Sequence, residues 1–361
     1  MSFFTTHKRV FSLLTALVLM LSITGCAGNN TTTETNASAQ TGTDTESSVQ
    51  TEATAERQTV TVVDATLEEV EVKTNPKSVA IYETSILDIL HTLGWERTGI
   101  ETMGVCKTES YMPDYLADYR DSDDYPNVGD MFEADYDVLD LLEPDLIIGG
   151  GRFGFTNTEG KTVDDVKKRY PNTDYLSFNV DMASPEDTFT ACLERNYSVL
   201  GEVFPNLKED LDDCYQEFLD AFAEISSQTG DKRTLFVMIG PGYITYYGPV
   251  GRYSMVYNEF GFTPADTTTD AGGVHGVEVS AEYIKEVNPD VILVLDRNAA
   301  LGEASCMDDF TGNAMIQETA AYQNGSIYEL DTNAWYMNTG GLTAMRQMIV
   351  DMENVVANLN K

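Results

Sequence analysis

"LLEPDLIIGGGR", Leu141 to Arg152, and "EVNPDVILVLDR", Glu286 to Arg297, share one frame: Pro-Asp, a run of apolar residues, and an arginine seven positions after the aspartate. The offset between them is 145 residues throughout. A helix end, a Pro-Asp turn and a short apolar run closed by glycine or charge read as entry into a buried parallel strand. Found twice at a fixed distance, this frame predicts an α/β protein of two Rossmann-like lobes, each with a parallel sheet.

Working outward, "SVAIYETSILDILHTLG" (Ser78 to Gly94) reads as a strand followed by a helix capped near Thr84 or Ser85, with Ile86, Leu87, Leu90 and Leu93 on one face. "TLFVMIG" (Thr234 to Gly240) opens the second half in the same manner. Between the halves, "SPEDTFTACLERNYSVLGEVF" predicts a helix capped by Ser184 with Pro185 at its first position. After Pro205, apolar residues recur every three or four positions from Leu207 through Leu211, Tyr215, Phe218 and Phe222 to Ile225. A helix of about 20 residues spans about 30 Å, long enough to join two lobes alone. The boundaries are then an N-terminal lobe over 59–205, an interlobe helix over 206–229 and a C-terminal lobe over 230–361.

The start of the chain belongs to neither lobe. Lys8 and Arg9 precede an apolar run from Val10 to Ile23 that is short for a bilayer span, and small residues lead to Cys26. The pattern resembles the bacterial lipobox, which makes 1–25 a signal peptide and Cys26 a lipidated first residue. From 26 to 58 the chain is rich in Thr, Ser, Asn, Ala and Glu without aliphatic periodicity, so it reads as a disordered tether.

The 361 residues hold 59 acidic and 22 basic side chains, a formal net charge of −37. Loss of Lys8 and Arg9 with the signal removes two cations and brings it to −39. That charge excludes nucleic acid and anionic lipid as partners, leaving the anchor as the only membrane contact. Cys106, Cys192, Cys214 and Cys306 have neither CxxC nor paired spacing, so they read as isolated thiols.

Three arginines sit where loops follow strands: Arg152 in "GGGRFG", Arg252 in "YYGPVGRYS" and Arg297 in "LDRNAA". In open α/β sheets, ligands bind beyond the carboxyl ends of the strands. Guanidinium groups there suit an oxygen-rich anion, because their charge is permanent and their forked donors match adjacent oxygens. A single such arginine is explained by a surface ion pair; three at strand ends point to a cleft. His275 lies among glycines in "AGGVHGVEVS", His91 falls beside the apolar stripe of a helix and reads as structural, and Tyr336 lies in "AWYMNTGG", a loop before the last helix.

Taken in order, "YETSILDILHTLG", "LLEPDLIIGGGR", "YYGPVGRYSMVYNEFGF", "VHG", "LDRNAALG" and "AWYMNTGGL" resemble blocks of the siderophore-binding lipoproteins of bacterial iron ABC transporters, in the catecholate- and petrobactin-binding branch. The resemblance covers about Ser78 to Val355. It implies a monomeric, extracytoplasmic binding protein without enzymatic activity or intrinsic cofactor, which carries ferric iron as a siderophore complex to an ABC permease. It implies that Arg152, Arg252 and Arg297 hold the ferric catecholate, and that His275 and Tyr336 reach the iron when a tetradentate siderophore leaves positions open. It further implies permease docking through an acid eight residues before the Pro-Asp aspartate, here Asp137, with Glu259 as its second-lobe counterpart.

Rival readings are weaker. A zinc or manganese carrier needs a cluster of histidines and carboxylates, and only His91 and His275 follow Cys26. A siderophore esterase needs a serine beside a base, and the chain has no GxSxG. A heme or cobalamin carrier of the same class is the alternative, since His275 and Tyr336 are competent axial ligands, but three arginines favour an oxygen-rich anion over a porphyrin face.

Overall fold

The computed structural model describes residues 57–107, 112–130, 133–150, 163–180, 188–269, 271, 273 and 275–359. Residues 1–56, with Cys26 and most of the stretch read as signal and tether, and Arg152 lie outside them. Arg57 and Gln58, read as the end of the tether, are instead tied to the first lobe, Arg57 by an ion pair to Asp145 at 2.7 Å and Gln58 by its carbonyl accepting from the Thr74 amide at 2.8 Å.

An antiparallel hairpin, β1 (Thr59–Val63) with β2 (Glu69–Lys73), precedes the first sheet. That sheet holds β3 (Ser78–Ile81), β4 (Thr102–Val105), β5 (Leu146–Gly150) and β6 (Asp174–Phe178) in the order β4-β3-β5-β6, all parallel. The second sheet is built from β7 (Arg233–Gly240), β8 (Tyr243–Tyr247), β9 (Thr263–Pro264), β10 (Val277–Val279), β11 (Val291–Asp296) and β12 (Ile327–Glu329). Its order is β10-β8-β7-β11-β12, with β9 on β7. Here the expectation of two parallel sheets needs correction: β7-β11-β12 is parallel, but β8 returns antiparallel to β7 and β10 antiparallel to β8. The cause is a two-residue turn, Pro241-Gly242, with Gly240 paired to Tyr243. Proline presets the first turn position, and Gly242 at φ 78° supplies the left-handed second.

The pleat sends alternate residues of each sheet to different cores. Val79, Ile81, Leu146 and Ile148 of the first sheet share one apolar cluster with Phe236, Met238, Leu293 and Leu295 of the second. Ala80, Tyr82 and Ile147 face a local cluster on the other side of the first sheet. Leu235, Val237, Ile239, Ile292 and Val294 do so on the second. Both sheets are therefore covered on both faces, as parallel strands require. The shared core is filled by the helices Phe189–Val203, Lys208–Ser226 and Leu342–Leu359, whose buried faces carry Leu193, Leu200, Phe218, Phe222, Met345 and Met352. Each fully buried side chain of this size contributes about 1.5–3 kcal/mol.

The long helix falls at Lys208–Ser226, where the apolar spacing put it. The preceding helix starts at Phe189 with Thr188 as its cap, its side chain accepting from the amide of Ala191; Ser184 and Pro185 lie outside the described residues. The helix Thr84–Leu93 is capped by Glu83 rather than by Thr84 or Ser85, the carboxylate accepting from the Ser85 amide at 3.5 Å and from the Ser85 hydroxyl at 2.9 Å.

The last helix packs against the turn Asn333–Met337 that precedes it and also against the helices Thr84–Leu93 and Lys208–Ser226. Asp88, fully buried on the first of these, accepts from the amides of Thr343 and Ala344 at 3.1 Å each, from Thr92 Oγ1 at 3.1 Å and from the Tyr115 hydroxyl at 3.1 Å. A carboxylate from the first lobe thus caps a helix at the end of the chain, which answers the helix dipole and two orphan amides together.

The 145-residue repeat is physical. The helices Tyr136–Leu142 and Ala281–Val287 correspond residue for residue, with N-caps Asp135 and Ser280 and left-handed C-caps Glu143 (φ 45°) and Asn288 (φ 46°). Leu139 and Ile284 are their buried anchors. The Pro-Asp aspartates then repeat one task. The Asp145 amide donates to Ser78 O at 2.8 Å and its carboxylate accepts from the Lys77 amide at 2.7 Å; the Asp290 amide donates to Arg233 O at 2.8 Å and its carboxylate accepts from the Arg233 amide at 3.0 Å. Each aspartate stitches the start of the central strand to its neighbour.

Candidate functional site

Arg252 and Arg297 come together on Tyr336. One Arg252 terminal nitrogen donates to the Tyr336 carbonyl at 3.2 Å, and Arg297 Nε donates to the Tyr336 hydroxyl at 3.0 Å. Both guanidinium carbons also stand over the tyrosine ring, at 5.1 Å for Arg252 and 5.9 Å for Arg297, and Arg252 lies 4.8 Å from the Tyr253 ring. The ring faces attract these cations, yet two like charges sharing one phenol repel each other. An anion placed among them relieves that repulsion and meets donors already oriented.

Local sequence explains each placement. Arg297 follows Asp296, a fully buried residue whose Oδ1 accepts from the amides of Asn298 and Ala299 and whose Oδ2 accepts from the Ser305 hydroxyl and the Cys306 amide. The aspartate that ends β11 therefore fixes the turn from which the arginine projects. Tyr243 stands close by, because Asp296 pairs with Ile239 on β7 and the next residue, Gly240, pairs with Tyr243. Burial works against its charge, but Tyr336 and Tyr243 outweigh this and raise the guanidinium pKa further.

Arg252 is positioned by glycine. Gly251 adopts φ 91°, and a Cβ on it would stand 2.2 Å from the Gly273 nitrogen, so only glycine lets the two loops touch. The Arg252 amide donates to Gly273 O at 3.2 Å and the Gly248 amide to Ala271 O at 3.2 Å. These contacts bring the segment carrying His275 to the Arg252 rim, where His275 is exposed.

Tyr336 stands on a π-helical turn, Asn333–Met337, a rare geometry frequent at functional sites. The turn is braced from both lobes: Trp335, fully buried, donates through Nε1 to Asp351 at 2.9 Å, and Thr84 Oγ1 donates to Met337 O at 3.5 Å. Tyr336 packs against both the shared core and the local core of the first lobe.

Arg152 lies outside the described residues, two positions beyond β5. His91 is exposed, with its Nδ1 3.2 Å from the Tyr119 hydroxyl. Asp137 is exposed in the first turn of its helix. Glu259 is half-buried instead: one carboxylate oxygen accepts from the Thr190 amide at 3.3 Å, and burial raises its pKa although the Thr190 and Phe189 amides lower it. It serves the amino end of the helix Phe189–Val203.

Two residues were missed by reading the sequence. Glu282 is exposed in the first turn of the helix Ala281–Val287, 145 positions after Asp137, so the repeat itself marks it. Tyr243 was signalled by Pro241-Gly242, a turn dipeptide that sets the following tyrosine beside the end of β7. Among the described residues, no three His, Cys, Asp or Glu side chains gather as a metal cage, and no disulfide joins Cys106, Cys192, Cys214 and Cys306.

Comparison with known proteins places this geometry in context. The family model described as periplasmic binding protein matches residues 79–334. The petrobactin-binding protein YclQ of Bacillus subtilis is 31% identical over 287 residues, covering 79% of this chain and 84% of the relative. The ferric-anguibactin-binding protein FatB of Vibrio anguillarum is 24% identical over 82% of this chain and 87% of its own. The crystal structure of the periplasmic catecholate-siderophore binding protein VctP from Vibrio cholerae superposes with a TM-score of 0.70 at 29% identity, covering 82% of this chain and all of that one.

Proposed function

The chain belongs to the periplasmic binding protein family, and from that premise we propose that it captures a ferric catecholate-type siderophore and hands it to an ABC importer. It is a binding protein and not an enzyme; iron arrives as part of the ligand. The observation that carries the ligand class is the convergence of Arg252 and Arg297 on Tyr336. Two catecholates leave ferric iron with net charge −1 and three leave −3. With an effective dielectric near 20, one arginine about 5 Å from a unit negative charge gains about 3 kcal/mol before desolvation. The exposed carboxylates of the rest of the molecule oppose this weakly, because salt screens them beyond about 8 Å.

In this reading Arg152 completes the cation set from the first lobe. A bis-catecholate leaves two iron positions open, which His275 and Tyr336 fill as imidazole and phenolate ligands. A hexadentate ligand only hydrogen-bonds to them. The heme or cobalamin alternative is disfavoured by the siderophore names of the relatives and by the paired guanidinium groups. Anchoring through lipidated Cys26 on the tether 26–58, as a monomer, fits the amino-terminal pattern. Permease docking rests on Asp137 and Glu282, the exposed first-turn acids of the twin helices, in place of Glu259, whose carboxylate is engaged within the fold.

Fluorescence titration of the 19 tyrosines and two tryptophans tests the ligand class. Ferric bis- or tris-catecholate is expected to quench saturably at submicromolar concentration. Saturable quenching by heme alone would reverse the assignment.

A further inference from the structure

Arg297 is bonded to Tyr336 and has Tyr243 close by, across the end of β7. Tyr243 opens onto a cavity of about 770 Å³ at the carboxyl end of β7. Its walls are the Gly240–Tyr243 turn, the end of β10 with Glu278 and Val279, and the helix Met307–Gly312 with Asp309 and Phe310. The floor is apolar, with Ile239 and Phe310 buried, while Glu278 and Asp309 are exposed. None of the described residues lining it is basic. A cavity of this size accommodates a sizeable part of a small molecule, and it adjoins the arginine site through one shared side chain.

We propose that this cavity is a second compartment of the ligand site and that it takes an alkylammonium arm of the siderophore. This rests on the siderophore reading and refines it, from a ferric anion alone to a bipolar ligand. The anionic iron centre sits against Arg252 and Arg297, and the arm passes Tyr243 so that its methylenes lie on Val279 and Phe310 and its ammonium meets the carboxylates of Glu278 and Asp309. The charge pattern excludes the opposite arrangement, because a carboxylate arm would meet two acids and no base. Tyr243 sits at the boundary, with the end of β11 and Arg297 on one side and the cavity on the other.

Three ferric bis-catecholates with one backbone separate the possibilities: an unsubstituted complex, one with a terminal aminobutyl arm, and one with that amine acetylated. The full-length protein is expected to bind the aminobutyl complex about tenfold more tightly than the unsubstituted one, from methylene burial and partly exposed ion pairs. Acetylation should forfeit most of the gain. The double variant Glu278→Gln, Asp309→Asn should bind the aminobutyl and unsubstituted complexes alike, with unchanged affinity for the latter. Equal affinity of the wild-type protein for all three, or a preference that survives the double variant, overturns the second compartment while leaving siderophore binding intact. Failure of the wild-type protein to bind any of the three overturns the siderophore reading and this inference with it.

Discussion

Up to the carboxyl ends of their central strands the two lobes are built alike, and beyond those ends they part. Helix, left-handed cap, Pro-Asp stitch and apolar strand correspond residue for residue at an offset of 145. Then the first lobe runs into glycines, and a Cβ on Gly150 would stand 1.8 Å from Glu83 Oε2. The second runs into Leu295 and Asp296, and Asp296 caps the turn that presents Arg297. Burying a parallel strand on both faces admits few solutions, so that part recurs. The loop past the strand meets the ligand, and its residues are free to differ. The second lobe adds the antiparallel β8, and with it Tyr243 and the loop of Arg252.

The largest effect is expected where the lobes are tied together. Asp88→Ala removes the acceptor of two helix amides and of the Tyr115 hydroxyl in a fully buried setting. It should destabilise the protein by about 3–5 kcal/mol, read from urea denaturation. A loss under 1 kcal/mol would mean that the last helix holds its place without the first lobe.

Arg297→Ala acts on the part where the lobes differ. It should weaken bis- and tris-catecholates alike by about 1–3 kcal/mol, with stability nearly unchanged. Tyr336→Phe should weaken tetradentate complexes selectively and shift their charge-transfer band. If both variants lose equally on both ligand classes and the band stays put, the phenol does not reach iron.

Asp266, in the second lobe, accepts from the amide and hydroxyl of Thr268 and from the Tyr283 hydroxyl. Burial alone would raise its pKa, but these donors and Thr269 together hold it well below the usual carboxylate range. Because the folded pKa is depressed, its stabilisation is fully present above the unfolded value of about 3.9 and is lost as the pH falls through the folded one. Asp266→Asn should cost about 1 kcal/mol at pH 7, and the gap from wild type should close towards pH 2. A gap that widens in acid would contradict the assignment.

The smallest effect on the isolated protein is expected at the twin helices. Asp137→Ala and Glu282→Ala should leave ligand affinity and stability within about 0.5 kcal/mol of wild type and reduce siderophore uptake in cells to a similar degree. Unequal losses would break the symmetry of the pair, and a Glu259→Ala variant that matched either would restore the earlier assignment.

Much of this molecule was legible in its sequence because burial leaves periodic traces. The Pro-Asp frames located both central strands, and the stripe from Leu207 to Ile225 located the long helix. Arg252 and Arg297 stood out because arginine after a strand is unusual in so acidic a chain, whereas Tyr336 entered only through the family resemblance. What escaped depends on partners distant in sequence. Nothing local to Asp88 reveals that it caps a helix starting at Leu342, and nothing local to Glu259 reveals that its carboxylate meets the Thr190 amide. Pro241-Gly242, just past the strand that was read to end at Gly240, signals a hairpin that the reading passed over, which hid Tyr243 and turned a mixed sheet into a parallel one.

The reach from Asp88 to Ala344 spans 256 residues, and a chain is made from one end. At about 5–20 residues per second, the ribosome needs roughly 13–50 s to supply the amides that this carboxylate caps. Over that interval the first lobe has its sheet but not its last helix, and the apolar face later covered by Met345, Met348 and Met352 stands open. The fold therefore builds in a waiting period, during which the carboxylate of Asp88 and the face beside it lack the helix that completes them.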